Sequence, residues 1–262
     1  MSLHADTYRP TYHDLALTTS LGDATVHYVE AGNASKPTVL LLHGSPSSSN
    51  QFRDLIPLIS DSYHVLAPDL PAFGLTKVTS DFVYTFDNLT TIIAIWLLAL
   101  NITCYAVYIF DYEWQYLRLG LRVPFWDPIM ALWNESNPNS EADRDTLRSF
   151  YLQIGGTNYQ YTTDVPGEDQ MLINLVAAQI DYHLNLEGTE NQNRQLDLFY
   201  DYRNICPWGK GDPAFIPSGA EDFKKDLPNA QIYLLDAGHF ALETKRWDIA
   251  RLMKEFLKTV HF

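Results

Sequence analysis

Apolar and polar positions along the first part of the chain predict strands before any helix. Segments 12–19 and 24–29 have strand character and are joined by a turn at Leu21-Gly-Asp23, which predicts a hairpin-like pair. The run 37–42 is apolar on both faces, as central strands are, and 64–67 predicts the strand that follows it.

A helix is predicted between these last two strands. Ser47-Ser-Ser49 can cap it, and Phe52, Leu55, Ile56 and Ile59 are spaced to form one apolar stripe. Because strands and helices alternate, we expect an α/β fold whose mostly parallel sheet has helices on both faces.

The most apolar stretch, residues 92–110, is long enough to cross a bilayer. Its clearly polar side chains, Asn101 and Thr103, fall where a helix should end, and residues 105–110 are aromatic and β-branched as strands are. The basic flanks that orient a membrane span are absent. The pattern therefore predicts a helix followed by a buried parallel strand.

Asp111 follows this strand directly. Open α/β sheets place their chemistry at the carboxyl ends of strands, so Asp111 is a candidate nucleophile. The alternative is that Asp111 caps a following helix, a common position for aspartate.

Composition limits the possible partners and compartment. The chain has a net charge of −14, from 18 Lys and Arg against 32 Asp and Glu. This composition argues against a nucleic-acid or anionic-membrane partner, because such partners require a basic surface. Two cysteines, Cys104 and Cys206, are too few for a disulfide scaffold, and we expect both to be free thiols. Since the first residues also lack a signal-peptide pattern, a cytoplasmic location is expected.

The second half changes character twice. Residues 123–203 read as helical segments rich in aromatic side chains, with little strand pattern. After residue 205, a helix at 220–225, a strand at 231–235 and an amphipathic helix at 240–257 are predicted.

Three motifs, in this order, carry a resemblance to the α/β-hydrolase superfamily: His43-Gly-Ser-Pro46, Pro68-Asp-Leu-Pro-Ala-Phe-Gly74 and Asp236-Ala-Gly-His239. Within the superfamily the chain resembles the branch of epoxide hydrolases and haloalkane dehalogenases, whose nucleophile is an aspartate. The likeness extends from about residue 12 to residue 256. It implies an α/β-hydrolase core at 1–121 and 205–262, interrupted by a helical cap at 122–204.

The resemblance implies roles for individual residues. Asp111 would attack the substrate, His239 would be the general base, and Asp212 in Trp208-Gly-x-x-Asp212 would orient the histidine. The backbone N–H groups of Ser45 and Tyr112 would form the oxyanion hole. Alternatively, the motif at residue 43 is an ordinary strand-exit turn, and His239 lies on a surface loop.

The cap, the substrate and the cofactors follow from the same resemblance. Cap tyrosines of epoxide hydrolases donate a proton to the epoxide oxygen, and Tyr159 or Tyr161 could do so here, although no motif selects one. No metal and no cofactor are implied. The expected partner is a small organic molecule, and the sequence gives no oligomeric state.

The chain departs from the family pattern at two kinds of position. Ile109 and Glu113 flank Asp111, where the tight nucleophile turn favours small residues. Two core strands also appear to be missing: none follows Arg122, and the approach to Trp208 is short and contains Pro207. A mis-spliced gene model, a truncated isoform or a degenerating paralogue would each have these gaps.

An epoxide hydrolase-like enzyme with an aspartyl-ester intermediate is the function that the sequence favours. Dehalogenation ranks lower, because dehalogenases carry a tryptophan and an amide where this chain has Tyr112 and Ser45. The alternative is a catalytically impaired relative that acts as a non-enzymatic binding protein.

Overall fold

The computed structural model describes residues 9–44, 47–71, 73–83, 86–110, 205–212, 215–226 and 228–260. They belong to two compact units, the first within residues 9–110 and the second within 205–260.

A mixed sheet forms the first unit. Its strands are β1 Thr11–Thr19, β2 Gly22–Ala31, β3 Thr38–Leu42, β4 His64–Pro68, β5 Lys77–Val78 and β6 Ala106–Ile109. The spatial order is β1-β2-β4-β3-β6, with β5 beside β2. β2 pairs antiparallel with β1, β4 and β5, whereas β3 pairs parallel with β4 and β6. The predicted α/β fold is confirmed.

The predicted hairpin and central strands are present. β1 and β2 meet at a turn in which Thr19 is opposite Gly22, and Gly22 has a φ of 100°, a conformation that glycine adopts without strain. Four of the five residues of β3 and all five of β4 are buried. Burial on both faces is what a continuous apolar run requires of a central strand.

The helix predicted from Ser47 onward is two short helices instead. A 3₁₀ helix, Ser49–Phe52, is capped by the Ser48 side chain, and α1, Ile56–Ile59, follows it. Pro57 lies in the first turn of α1, where it lacks an N–H to continue an earlier helix. The predicted apolar stripe is nevertheless buried, because Phe52, Leu55, Ile56 and Ile59 are each at most 1% exposed.

The long apolar stretch divides where the sequence predicts. Helix α2 spans Phe86–Ala99. Shortly after it, Asn101 has a left-handed φ of 59°, and the Ile102 N–H donates to the Leu97 carbonyl at 2.9 Å, which closes the end of the helix. β6 begins at Ala106. Among the helices that the structure describes, none is long and apolar enough to cross a membrane.

β6 is parallel as predicted, but it is not buried. Val107 is 42% exposed and Ile109 is 36% exposed, while Ala106 and Tyr108 are half-buried. The reason is its position, since β3 is its only neighbour among the described strands and β6 is therefore an edge of the described sheet.

The described part of the second unit contains two parallel strands and three helices. These are β7 Ile205–Gly209, α3 Pro217–Asp226, β8 Gln231–Leu235, α4 Ala241–Thr244 and α5 Arg246–Leu257. The helix predicted at 240–257 is broken at Lys245, whose φ and ψ of −123° and 25° are not helical. α5 is amphipathic as predicted, and its buried side includes Ile249, Leu252 and Met253.

β7 corrects one expectation from the sequence. The core strand that seemed to be missing before Trp208 is present, with Pro207 opposite Tyr233 of β8. Among the described strands β8 is the only neighbour of β7, and a proline is tolerated at a strand edge because the edge needs no N–H there.

Two other expectations have different outcomes. Cys104 and Cys206 are both free, as predicted. The domain boundaries at 121–122 and 204–205, the helical cap and the missing strand after Arg122 lie outside the described residues and stay predictions.

Candidate active site

The ends of β3 and β6 lie side by side in the first unit. Leu42 is the register partner of Ile109, and the Phe110 N–H donates to the Leu42 carbonyl at 3.0 Å. His43 and Gly44 leave the carboxyl end of β3 from this point. Asp111 is the next residue after Phe110, although it lies outside the described residues.

His43 is a buried neutral histidine that holds the loop together. It is 1% exposed, and its Nε2 accepts the Leu70 N–H at 3.0 Å. The ring proton therefore belongs on Nδ1, which lies 2.9 Å from the Gly44 carbonyl. Burial lowers the pKa of His43, and the Asp69 carboxylate and the Gly44 carbonyl oppose this shift without overcoming it.

Asp69 ties three loop segments to each other. Its Oδ1 accepts the Ser49 N–H at 2.7 Å, and its Oδ2 accepts the Leu75 N–H at 2.8 Å. Gly74 packs so closely on this carboxylate that a Cβ there would overlap it, and its φ of 54° is left-handed. Asp69 is thus a structural acceptor within the motif that ends at Gly74.

Gln51 braces the start of the predicted oxyanion loop. Its Oε1 accepts the Gly44 N–H at 3.0 Å, and its side chain is buried. The Gly44 N–H is therefore already hydrogen-bonded within the loop. The N–H of Ser45, the next residue, is the one that the sequence assigns to the oxyanion hole.

The buried neutral His43 predicts a pH dependence of stability. An unfolded histidine takes up a proton near its ordinary pKa of about 6.5, whereas the lowered pKa keeps folded His43 neutral at that pH. Below about pH 6.5 the unfolded state binds one proton more than the folded state. The free energy of unfolding therefore decreases as the pH is lowered, by at most about 1.4 kcal/mol per pH unit.

Urea unfolding of the wild type and His43→Asn between pH 7 and pH 5 measures this dependence. The slope should be shallower in the variant than in the wild type. Equal slopes in the wild type and His43→Asn would contradict the assignment.

Asp212 and His239 form a buried pair in the second unit. Asp212 follows β7 and His239 follows β8, and they are 7% and 8% exposed. His239 Nδ1 lies 2.9 Å from Asp212 Oδ2, while Asp212 Oδ1 accepts the Phe215 N–H at 2.9 Å. Since a carboxylate only accepts, Nδ1 carries the proton, and Nε2 is the nitrogen that can act as a base.

Close backbone packing brings the two loops together. Gly209, the last residue of β7, touches the loop at Ala237 and Gly238, where a Cβ would overlap the Gly238 carbonyl oxygen. The Gly211 N–H donates to the Ala237 carbonyl at 2.9 Å. At the surface, Lys210 Nζ pairs with Asp236 Oδ1 at 3.0 Å and lowers the pKa of Asp236.

Two aromatic rings of the described residues lie against the His239 imidazole. The Phe215 ring stacks on the His239 imidazole, and Phe240 meets the same imidazole edge-on. The Trp208 indole N–H donates to the Phe215 carbonyl at 2.6 Å. These rings keep the imidazole in an apolar setting, as its low exposure requires.

The structure thus brings together two of the predicted site residues, Asp212 and His239. The other five lie outside the described residues: Asp111, Ser45, Tyr112, Tyr159 and Tyr161. Among the described residues, no group of three or more His, Cys, Asp or Glu side chains could hold a metal ion.

Sequence reasoning did not identify the supporting residues Gln51, Asp69 and Phe215. Asp69 follows a buried strand and precedes Gly74 within one motif, a signal that could have identified it. Gln51 and Phe215 act through a backbone contact and a ring contact that no sequence pattern marks.

Comparisons with known proteins agree with this architecture. A family model described as alpha/beta hydrolase fold matches residues 37–112. An uncharacterized hydrolase of Saccharomyces cerevisiae is 34% identical over 260 residues, covering 84% of this chain and 88% of the yeast protein. A haloalkane dehalogenase of Mesorhizobium japonicum is 52% identical over 52 residues, which are 20% of this chain and 16% of that enzyme.

Solved structures share the fold at lower identity. The haloalkane dehalogenase DatA of Agrobacterium tumefaciens superposes with a TM-score of 0.71 at 18% identity, covering 96% of this chain and 97% of that chain.

The alignment with the yeast hydrolase bears on segments that this chain lacks. The alignment has 260 positions but includes only 84% of the 262 residues of this chain. Some aligned positions of the yeast protein therefore lie opposite gaps in this chain.

Proposed function

Because this chain belongs to the α/β-hydrolase fold family, we propose that it hydrolyses a small electrophilic organic substrate through an ester on Asp111, with epoxides as the preferred class. The observation that carries the proposal is the buried Asp212–His239 pair on the loops after β7 and β8. A carboxylate that fixes the imidazole tautomer is what a general base for ester hydrolysis needs.

In the first step, an oxygen of the Asp111 carboxylate attacks an epoxide carbon. The carbon–oxygen bond of the ring breaks, and its electron pair stays on the former epoxide oxygen, which takes a proton from an acid. Tyr159 or Tyr161 is proposed as that acid. The product is a hydroxyalkyl ester of Asp111. The β3–β6 register supports this step, since residue 111 follows a strand whose carboxyl end adjoins the His43 loop.

In the second step, His239 Nε2 takes a proton from water and the resulting hydroxide adds to the ester carbonyl. The N–H groups of Ser45 and Tyr112 are proposed to hold the oxyanion, and Asp212 stabilises the imidazolium. Collapse of this intermediate breaks the ester bond, and the alkoxide takes the proton back from the imidazolium. A diol and the Asp111 carboxylic acid result, and the carboxyl proton returns to the phenolate left by the first step, which restores the Asp111 carboxylate.

Hydrolytic dehalogenation is the second candidate, and the local identity to haloalkane dehalogenases favours it. The ester chemistry would be the same, with a halide leaving in place of the epoxide oxygen. Against it, a dehalogenase is expected to have a tryptophan and an amide at the positions that Tyr112 and Ser45 occupy. Parallel assays with an aryl epoxide and a primary bromoalkane separate the two classes.

A single turnover in ¹⁸O-labelled water tests the ester directly. With enzyme in excess over styrene oxide, the new hydroxyl oxygen of the diol should be ¹⁶O from Asp111, and the ¹⁸O should appear in the peptide that contains residue 111. Mass spectrometry of diol and peptide measures both. Direct attack by water would instead place ¹⁸O in the first diol.

Asp111→Asn serves as the control and should neither form diol nor gain label. If the wild type unfolds cooperatively yet yields no product and no labelled peptide, the alternative of a non-enzymatic binding protein is favoured. Departures at Ile109 and Glu113, beside the proposed nucleophile, are the features that support this alternative.

The setting of this activity is part of the proposal. We expect a small-molecule substrate, no cofactor, no nucleic-acid or membrane partner, and a cytoplasmic location. Ester hydrolysis by an aspartate, a histidine and water requires no redox group.

A further inference from the structure

Phe215 contacts both members of the imidazole–carboxylate pair with two different parts of the residue. Its ring lies nearly parallel to the His239 imidazole, with centroids 5.1 Å apart and planes 16° apart. Its backbone N–H donates to Asp212 Oδ1 at 2.9 Å, whereas His239 uses Oδ2. We propose that the Phe215 ring sets the orientation of the His239 base, an inference that rests on the proposed function and deepens it.

The imidazole needs such a contact because the hydrogen bond to Asp212 does not by itself fix the plane of the ring. The outer side-chain torsion of histidine has broad minima, so the ring can swivel about its bond to Asp212 and carry Nε2 along an arc. A parallel aromatic face restrains this motion, because tilting the imidazole would lose contact on one side and overlap the ring on the other. Phe240 adds a second restraint, with its ring 5.1 Å away at 72°.

Phe215 is itself held in place. Its carbonyl accepts the Trp208 indole N–H at 2.6 Å, and the two rings lie 6.3 Å apart at 69°. Trp208 belongs to β7, the strand that leads to Asp212. The Phe215 ring is therefore positioned from the same strand as the carboxylate, so that the imidazole is oriented relative to both.

The two contacts of Phe215 can be separated by mutation. A change of side chain removes the ring and keeps the backbone N–H that holds Asp212 Oδ1. In the proposed mechanism, formation of the Asp111 ester does not use the base, whereas its hydrolysis does. Loss of the ring should therefore slow ester hydrolysis alone.

Phe215→Leu tests this separation by rapid-quench measurement of ester formation and ester decay on styrene oxide. We expect decay about tenfold slower, with formation within about twofold of the wild type. Phe215→Tyr, which keeps the ring, should restore the decay rate. Phe82→Leu is the matched control, because Phe82 is also 7% exposed but belongs to the core of the first unit.

A measurement without substrate separates this inference from the proposed function. In ¹⁵N-histidine-labelled protein, the His239 signals are identified by their loss in His239→Gln. In the wild type, nuclear Overhauser effects between the His239 ring protons and the Phe240 ring should define one imidazole orientation, and Phe215→Leu should weaken them. If the wild type forms no ester, the proposed function fails, and these Overhauser effects alone decide whether the Phe215 ring orients His239.

Unchanged Overhauser effects between His239 and Phe240 in Phe215→Leu would overturn the inference, as would ester decay at the wild-type rate. Phe215→Met, an unbranched side chain of similar length without a ring, replaces the leucine variant if that variant does not fold. Slower decay in Phe82→Leu equal to that in Phe215→Leu would also overturn it, because the effect would then be one of general stability.

Discussion

Replacing His239 with glutamine should leave an ester on Asp111 that accumulates instead of turning over. Attack on the substrate uses the Asp111 carboxylate and the proposed cap acid but not the base, whereas hydrolysis needs a base that takes a proton from water. General-base catalysis contributes about 10²–10⁴-fold, so ester decay should slow by at least about a hundredfold while the ester forms at nearly the wild-type rate. Intact-protein mass spectrometry after incubation with styrene oxide measures the adduct.

A second imidazole–carboxylate pair, in which the histidine is buried, supplies the matched control. His64 Nε2 lies 2.8 Å from Glu30 Oε1, and the His64 side chain is 4% exposed, but His64 begins β4 rather than following a strand. His64→Gln should therefore reduce stability and leave no accumulated ester. Accumulation in both variants, or in neither, would contradict the assignment of His239 as the base.

Gly209→Ala should separate the two loops that carry Asp212 and His239. The added Cβ would overlap the Gly238 carbonyl oxygen and lie 2.9 Å from the Ala237 carbonyl oxygen. Both are backbone atoms that cannot turn aside, so the loop before His239 must shift. We expect a loss of about 1–3 kcal/mol in the free energy of unfolding and, because a displacement of about 1 Å disrupts catalytic geometry, ester hydrolysis slower by about a hundredfold.

Gly211→Ala is the control for Gly209→Ala, since its Cβ would meet the Ala237 carbonyl oxygen at 3.3 Å, a contact that a small adjustment relieves. Urea unfolding and ester decay, measured side by side, compare the variants. Equal behaviour of the two alanine variants would show that close packing at Gly209 does not position the pair.

Much of the fold could be predicted because hydrophobic periodicity reflects burial on a local scale. The strand at 37–42 is apolar on both faces, and both this strand and the one at 64–67 are buried on both faces. Asn101 ends a helix because its left-handed conformation stops the helical repeat, and a polar residue at the end of an apolar run is a local signal for this. Such features need no knowledge of the rest of the chain.

Other features depended on neighbours that a sequence does not name. The apolar pattern at 105–110 predicts a buried strand, but exposure of Val107 depends on what lies beside β6. Pro207 predicts an interruption of the strand, yet β7 includes it, and β8 is the only neighbour of β7 among the described strands. In the site, the order of the motifs identified Asp212 and His239, whereas the ring contact of Phe215 arises only when the loop folds back.

The close packing of Gly209 on the His239 loop has an evolutionary consequence. Every contact described here for the imidazole–carboxylate pair comes from residues 205–260, so the pair can be inherited as part of one folding unit. Retention of Asp212 and His239 among descendants would therefore record selection on the fold of this segment as well as selection on catalysis.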